Sequence, residues 1–336
     1  MFRTAVIGLG RISSKYLSDE KISKNIKYYT HLQVISQNKN FDLSAAVDTS
    51  KEACNYAEDN YDIKEVVTDI DDISNKENID ILVLATPPNF RLNIIKKFPS
   101  LVGIIVEKPL AENLEDAKHF LKECERCDIK VQVNLTRRSD SVMKDLSKEG
   151  MDDKIGKVQC VFGTYGRGIN NYGIHLIDLA QMLFGKVLNV QSLSENRTFK
   201  DNGPLKPDYN LSFLLNMENR LQVTMSPLDY DNYREGSFDI WGEKGRIEIV
   251  HEGLNFIYTD IGECRTLSGF KELSFDKNNM YSTGYGESLF NLYENLANAI
   301  NYGEDLDSPG KSALVSQSIV DSIIRSYKMG GKRIIC

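Results

Sequence analysis

Five short apolar runs in the first 135 residues constrain the fold of this chain more than any other feature. They occupy residues 4–7 (TAVI), 43–47 (LSAAV), 79–85 (IDILVLA), 103–106 (GIIV) and 131–135 (VQVNL). The first stops at Gly8, the second at Asp48, the third at Thr86-Pro87-Pro88 and the fourth at Glu107-Lys108-Pro109. Continuous apolarity, without alternation, marks strands buried on both faces. Helical patterns separate the runs, for example LEDAKHFLKEC over residues 114–124. Buried strands alternating with helices predict a doubly wound, parallel α/β sheet.

The pattern changes beyond Asn134. From about residue 187 the apolar positions alternate, at 211–215, 221–225, 238–241 and 246–250, with NG, EKG and EGL as turn signals. This predicts a mixed or antiparallel sheet. Helix returns at 286–302 and 308–328, the second with Ser308 as N-cap and Pro309 at its first position. A chain of 336 residues accommodates two domains, and we place the expected division at 1–125 and 126–336.

Composition excludes several partners. Hydrophobic residues make up 41% and charged residues 26%, with a net charge of −7 and a pI near 5.3. No basic field exists for nucleic acid or an anionic membrane. No stretch approaches the roughly 20 apolar residues of a membrane span, and the N-terminal apolar run is too short for a secretory signal. A cytoplasmic protein is the expectation. Six scattered cysteines form no disulfide scaffold, and the lone Cys124–Cys127 CxxC and four dispersed histidines give no metal-ligand pattern.

The glycine turn Gly8-Leu9-Gly10-Arg11-Ile12-Ser13 follows the first run and is expected to open a helix. One glycine permits the turn, and the second lets backbone approach a pyrophosphate at a helix N-terminus. Asp48 ends the second strand, where a carboxylate can accept both ribose hydroxyls of an adenosine and favour NAD; Ser50 and Lys51 leave NADP possible. About 38 residues separate Gly10 from Asp48, against roughly 20 in the simple fingerprint. The polar insertion at 18–29 accounts for the excess. A helix N-cap is the plain alternative for Asp48. Thr86-Pro87 and Glu107-Lys108-Pro109 lie at strand carboxyl ends, where ligands of open α/β sheets bind. Desolvation and a nearby cationic nicotinamide would both lower the Lys108 pKa and suit it to proton transfer.

Residues 170–185, NNYGIHLIDLAQMLFG, form an almost wholly apolar helix with one polar strip of His175, Asp178 and Gln181. A satisfied core histidine and an active-site histidine both fit that strip. Tyr165, Arg167 and Asn170 precede it, Tyr285 lies in the loop STGYG, and Arg137 and Arg138 follow the fifth run. Each could grip a polar substrate, the arginines a phosphate or carboxylate.

Taken in order, GLGRIS, ATPPN, EKPLAENLEDA, GIHLIDLAQMLFG and WGEKGRIEI resemble the Gfo/Idh/MocA family of NAD(P)-dependent oxidoreductases over nearly the whole chain. The resemblance implies an N-terminal Rossmann dinucleotide-binding domain and a C-terminal α/β domain with a large, mostly antiparallel sheet that often builds homodimers or homotetramers. It implies hydride transfer between nicotinamide and a sugar, nucleotide-sugar or cyclitol carbon. Lys108 matches the catalytic lysine, and His175 the histidine of proton handling. Cofactor contacts would be Gly8, Gly10, Arg11, Ile12, Asp48, Thr86, Pro87, Glu107, Lys108 and Asn134. Tyr165, Arg167, Asn171, His175 and Tyr285 are the candidate substrate groups, and no metal is implied. One position departs: the family commonly places an aspartate four residues before the histidine, where this chain has Asn171. An amide cannot carry the charge that stabilises an imidazolium. Asp178 could supply that charge or only anchor the helix, Lys108 could carry more of the proton transfer, or the chain could be a cofactor-binding sensor that has lost catalysis.

Overall fold

The computed structural model describes residues 1–199, 208–274 and 279–336; the Asn202-Gly203 turn signal lies outside them. The chain divides into two units, Met1–Ser139 with Tyr285–Leu314, and Asp140–Gly284 with Val315–Cys336. The division therefore differs from the expected 125/126 boundary. The strand Lys130–Val133 is hydrogen-bonded into the first sheet, and a late segment returns to the same unit.

The first unit carries six parallel strands: β1 Phe2–Ile7, β2 Phe41–Val47, β3 Val66–Val67, β4 Ile81–Leu84, β5 Gly103–Val106 and β6 Lys130–Val133. Their order, β3-β2-β1-β4-β5-β6, reverses direction beside β1, which is where dinucleotides bind in such sheets. Alternate residues feed two cores. Ile81 and Val83 join Leu32, Ile35, Leu292 and Leu296 on one face, while Leu82 and Leu84 join Phe98, Phe120 and Cys124 on the other. The helix Ser288–Tyr302 belongs here because Leu289, Leu292, Tyr293 and Leu296 form one buried stripe at helical spacing. Each such leucine stabilises the fold by about 1.5–3 kcal/mol. The last helix starts at Gly310, later than Ser308 suggests. The Ser308 N–H donates to Gln132 Oε1 (3.0 Å) and its carbonyl accepts from Val133 N (2.8 Å), so the segment runs along the sheet before it coils.

The second unit is built on a ten-stranded sheet: β7 Val158–Tyr165, β8 Val187–Ser192, β9 Phe213–Met217, β10 Gln222–Pro227, β11 Ser237–Gly242, β12 Gly245–Val250, β13 Asn255–Glu263, β14 Lys271–Leu273, β15 Asn279–Ser282 and β16 Ile334–Ile335. Among the described residues, its pairs are antiparallel except β7 with β10. One face packs on the helix Ile174–Phe184 and on Ile319, Val320 and Ile323. The other face carries the alternate residues, among them the exposed Phe162 and Leu188. Among the described residues, no helix is long and apolar enough to cross a membrane.

Candidate active site

The glycine turn leaves β1 with Gly8 at φ +98°, a conformation open to glycine. A Cβ there would lie 2.8 Å from the Ala85 carbonyl oxygen, whereas one at Gly10 would meet nothing within 4 Å. Ser13, the third small residue, donates from Oγ to the Gly8 carbonyl at 2.6 Å. The expected long helix does not follow directly. Ser14 N bonds Gly10 O (3.1 Å) in a single turn, and a 3₁₀ segment, Lys15–Ser18, comes next. The insertion folds as a short helix, Glu20–Asn25, with no buried residue. The crossover helix is His31–Gln37, and its first N–H groups, from His31 and Leu32, bond the carbonyls of Ile12 (3.2 Å) and Ser13 (2.9 Å). The single turn at Gly10 still begins with the N–H groups of Arg11 and Ile12, which a turn leaves without an internal acceptor.

Asp48 is no helix cap; Ser50 caps Lys51–Asn60 through Ala53 N. The Asp48 carboxylate instead accepts from Leu9 N (2.7 Å) at Oδ2 and from Ser50 N (2.8 Å) at Oδ1. It braces the glycine turn at the position from which it would meet a ribose.

Beyond β4 and β5, two loops are tied together by Arg91. Its side chain is 2% exposed. It donates to the carbonyls of Thr86 (3.1 Å), Pro109 and Leu110 (3.1 Å). Burial pushes this guanidinium down to about 10, against the opposing pull of Glu107. Glu107 takes a hydrogen bond from His31 Nε2 (3.1 Å) and another from Asn134 Nδ2, both at Oε1. Burial works to raise its pKa, but His31, Asn134 and the Lys108 charge outweigh that and hold it below the usual carboxylate range. Lys108 follows at the strand's carboxyl end and is half-buried.

These residues fit a dinucleotide. Thr86 Oγ1 and Asn134 Oδ1 are buried without a hydrogen-bond partner, a condition that costs stability unless a ligand meets it. The space above Gly10, the first N–H groups of the turn and the ionised Glu107 add donors and acceptors of the kinds that pyrophosphate and ribose require.

In the second unit, His175 is half-buried near the start of the helix Ile174–Phe184. Residues Ile169–Gly173 before it form a widened π-type turn, with Gly173 N bonded to Gly168 O at 3.1 Å. The spacing from Asn171 to His175 is therefore not one regular α-turn. Asp208 shapes this turn. Its carboxylate accepts from Asn170 N and Nδ2 (3.0 Å each), Asn171 N (3.0 Å) and Tyr209 N (2.8 Å). Burial raises its pKa against those donors. Asp178 is buried and accepts from Ser316 Oγ (2.8 Å), which itself accepts from Gln181 Nε2 (2.8 Å). Two members of the polar strip thus anchor one helix to another.

Tyr165 is a correction. It is fully buried, and its hydroxyl donates to Leu211 O (2.8 Å) and accepts from Leu211 N (2.9 Å). It is a core residue and leaves the substrate group. Arg167 stays at the loop with φ +56°, and the Tyr172 ring lies 6.0 Å from that of His175. Tyr285 belongs to the first unit, where the buried Arg137 stacks on its ring at 5.1 Å. Among the described residues, no three His, Cys, Asp or Glu side chains cluster as a metal site.

His31, Arg91 and Asp208 hold the candidate site's loops and side chains by hydrogen bonds, and the sequence reading did not find them. Arg91 carried a usable signal, a charge one turn past ATPPN in an apolar helix. His31 and Asp208 carried none, since their partners lie 76 and 37 or 38 residues away.

Comparison with known proteins agrees with this geometry. The family model described as "Oxidoreductase family, NAD-binding Rossmann fold" matches residues 2–135, and the one described as "Oxidoreductase family, C-terminal alpha/beta domain" matches residues 169–334. The inositol 2-dehydrogenase of Rhizobium meliloti is 24% identical, over 88% of this chain and 92% of its own length. Two solved structures share the fold. One is an oxidoreductase of Agrobacterium radiobacter in complex with NAD+, L-tartaric acid and magnesium (TM-score 0.75, 17% identity, 99% and 98% coverage). The other is the WlbA dehydrogenase of Bordetella pertussis in complex with NADH and UDP-GlcNAcA (TM-score 0.73, 20% identity, 100% and 98% coverage).

Proposed function

Since the chain belongs to the Gfo/Idh/MocA oxidoreductase family, with both domain models matched, we propose that it transfers a hydride between nicotinamide and a hydroxyl-bearing carbon of a sugar, nucleotide sugar or cyclitol. A bound NAD supplies the hydride acceptor or donor; the protein supplies position and a route for the proton. Lys108 handles that proton at the substrate oxygen, with His175 as a second hydrogen-bonding group. The observation that carries this reading is the end of β5, where Lys108 stands beside a half-buried carboxylate kept ionised by its partners. Asn171 brings no charge to His175, and Asp178 Oδ1 is engaged by Ser316, so Lys108 takes the larger share. Gly8, Gly10, Arg11, Ile12, Asp48, Thr86, Pro87, Glu107 and Asn134 hold the cofactor, with NAD preferred over NADP because a carboxylate at Asp48 would accept the ribose hydroxyls and repel a 2′-phosphate. The names of the relatives, an inositol dehydrogenase and an enzyme solved with a UDP-sugar, support the substrate class. The exposed face of the ten-stranded sheet, with Phe162 and Leu188, suits a homodimer or homotetramer.

The test is a panel of polyols and nucleotide sugars followed at the nicotinamide absorbance band. Turnover is expected, and Lys108→Ala is expected to abolish it while NAD binding persists. Unchanged activity in that variant refutes the assignment of Lys108. NAD binding with no turnover of any panel member replaces the enzyme reading with a cofactor-binding sensor. Asn171→Asp is expected to shift the pH–rate profile, and a flat response removes His175 from proton transfer.

A further inference from the structure

His31 opens the helix His31–Gln37 and is fully buried. Its Nδ1 lies 2.8 Å from the Tyr293 hydroxyl and its Nε2 3.1 Å from Glu107 Oε1. An ionised carboxylate only accepts hydrogen bonds, so Nε2 carries a proton. The Tyr293 hydroxyl stays protonated, since burial and the Glu107 charge both push its pKa well up. Such a hydroxyl can donate to Nδ1 or accept from it. The result is a hydroxyl–imidazole–carboxylate chain inside the first unit, its hydroxyl and imidazole buried and its carboxylate half-buried. The groups that act on Glu107 are His31, Tyr293, Asn134, the adjacent Lys108 and the buried Arg91. Both bonds to Glu107 end on Oε1, which sets Oε2 apart from the chain.

We propose that His31 is a positioning residue of the cofactor site: braced by Tyr293, it fixes Oε1 of Glu107 and reserves Oε2 of an ionised carboxylate for the nicotinamide-side ribose. The proposal rests on the reading of Glu107 as a cofactor contact. Without His31, Glu107 is a half-buried acid with fewer hydrogen-bond donors, and desolvation favours its neutral form. A neutral carboxyl is a weaker acceptor for ribose hydroxyls. The loss is therefore greatest at low pH and fades as pH rises through the raised carboxyl pKa.

The experiment is NAD+ affinity, by calorimetry on the full chain from about pH 6 to about pH 8.5, with imidazole ¹⁵N spectra of the cofactor-free protein. His31→Leu is expected to weaken binding by at least about tenfold at the acid end, with a gap to wild type that narrows toward the alkaline end. His31→Gln restores an amide donor toward Glu107 and is expected to stay within about threefold of wild type. The spectra are expected to show His31 protonated at Nε2. Should His31→Leu fail to fold, Tyr293→Phe, which keeps the ring, must still weaken binding at the acid end. An unchanged Kd in His31→Leu, or in Tyr293→Phe where His31→Leu does not fold, a pH-independent gap, or an unprotonated Nε2 overturns the proposal. Glu107→Gln separates the two readings. If it binds NAD+ like wild type, the ribose contact fails and the proposal with it. If it weakens binding while His31→Leu does not, only the role of His31 fails.

Discussion

Arg91→Met is the sharpest test of how the two ligand-edge loops are held. Methionine keeps most of the stem and removes the guanidinium. Three backbone carbonyls, of Thr86, Pro109 and Leu110, lose their charged donor. Each carbonyl left unpaired costs about 2 kcal/mol. Removing a buried cation returns part of that. The guanidinium sits at about 10, below its ordinary value of 12.5, and a displacement of that size corresponds to about 3 kcal/mol of desolvation. The net loss is about 3 kcal/mol. Two units need not unfold together, so the assay is amide hydrogen exchange resolved to the segments flanking Thr86 and Leu110, alongside urea unfolding. Protection is expected to fall first in those two segments, and NAD affinity with it. Arg91→Lys, which cannot reach three carbonyls in a fork, is expected to fall between. A variant with native exchange in both segments and stability within about 0.5 kcal/mol of wild type refutes the tie.

Two glycine substitutions should separate stability from binding. Gly8→Ala places a Cβ 2.8 Å from the Ala85 carbonyl at φ +98° and is expected to cost about 2–3 kcal/mol in urea unfolding. Gly10→Ala meets nothing within 4 Å and should change stability by under about 1 kcal/mol while it weakens NAD binding; the reverse ranking in either assay refutes the placement of the pyrophosphate. Asp80 accepts from Arg3 N (2.8 Å) and pairs with its guanidinium (2.9 Å); these bonds outweigh burial and hold its pKa below the usual range. Its contribution is present at neutral pH and lost as pH falls through the folded-state pKa, so the urea midpoint of Asp80→Asn should trail wild type at about pH 7 and converge with it below about pH 3.

The buried strands of the first sheet were legible because continuous apolarity has one structural outcome in a domain of this kind. β4 came out two residues shorter at its start and one at its end than its apolar run: Ile79 N bonds Lys76 O in the preceding turn, while Ala85 N still reaches Ile7 O of β1 as the chain leaves the strand. β3, with two half-buried valines, left no run to read. The helix Ser288–Tyr302 was legible, but its membership of the first unit was not, because periodicity shows that a face is buried and not against what. The same limit hid the site's supports. Glu107, Lys108 and Asp48 announced themselves as charges at the ends of apolar strands. His31, in a polar insertion's wake, gave no sign of the carboxylate that it meets. Tyr165 failed in the opposite direction, because a tyrosine near a loop reads the same whether its hydroxyl faces a ligand or, as here, the Leu211 backbone.

The return of residues 285–314 to the first unit bears on how this gene can be cut and recombined. A fragment ending at Ser139 would keep all six parallel strands and every proposed cofactor contact. It would also strip the cover of Leu292, Tyr293 and Leu296 from Val6, Ile81 and Ile105 and leave His31 without its hydroxyl. The nucleotide-binding half is therefore not a cassette that a fusion event could transplant by its N-terminal coding segment alone. Its inheritance is tied to a stretch encoded more than a hundred codons downstream, after most of the strands of the second unit.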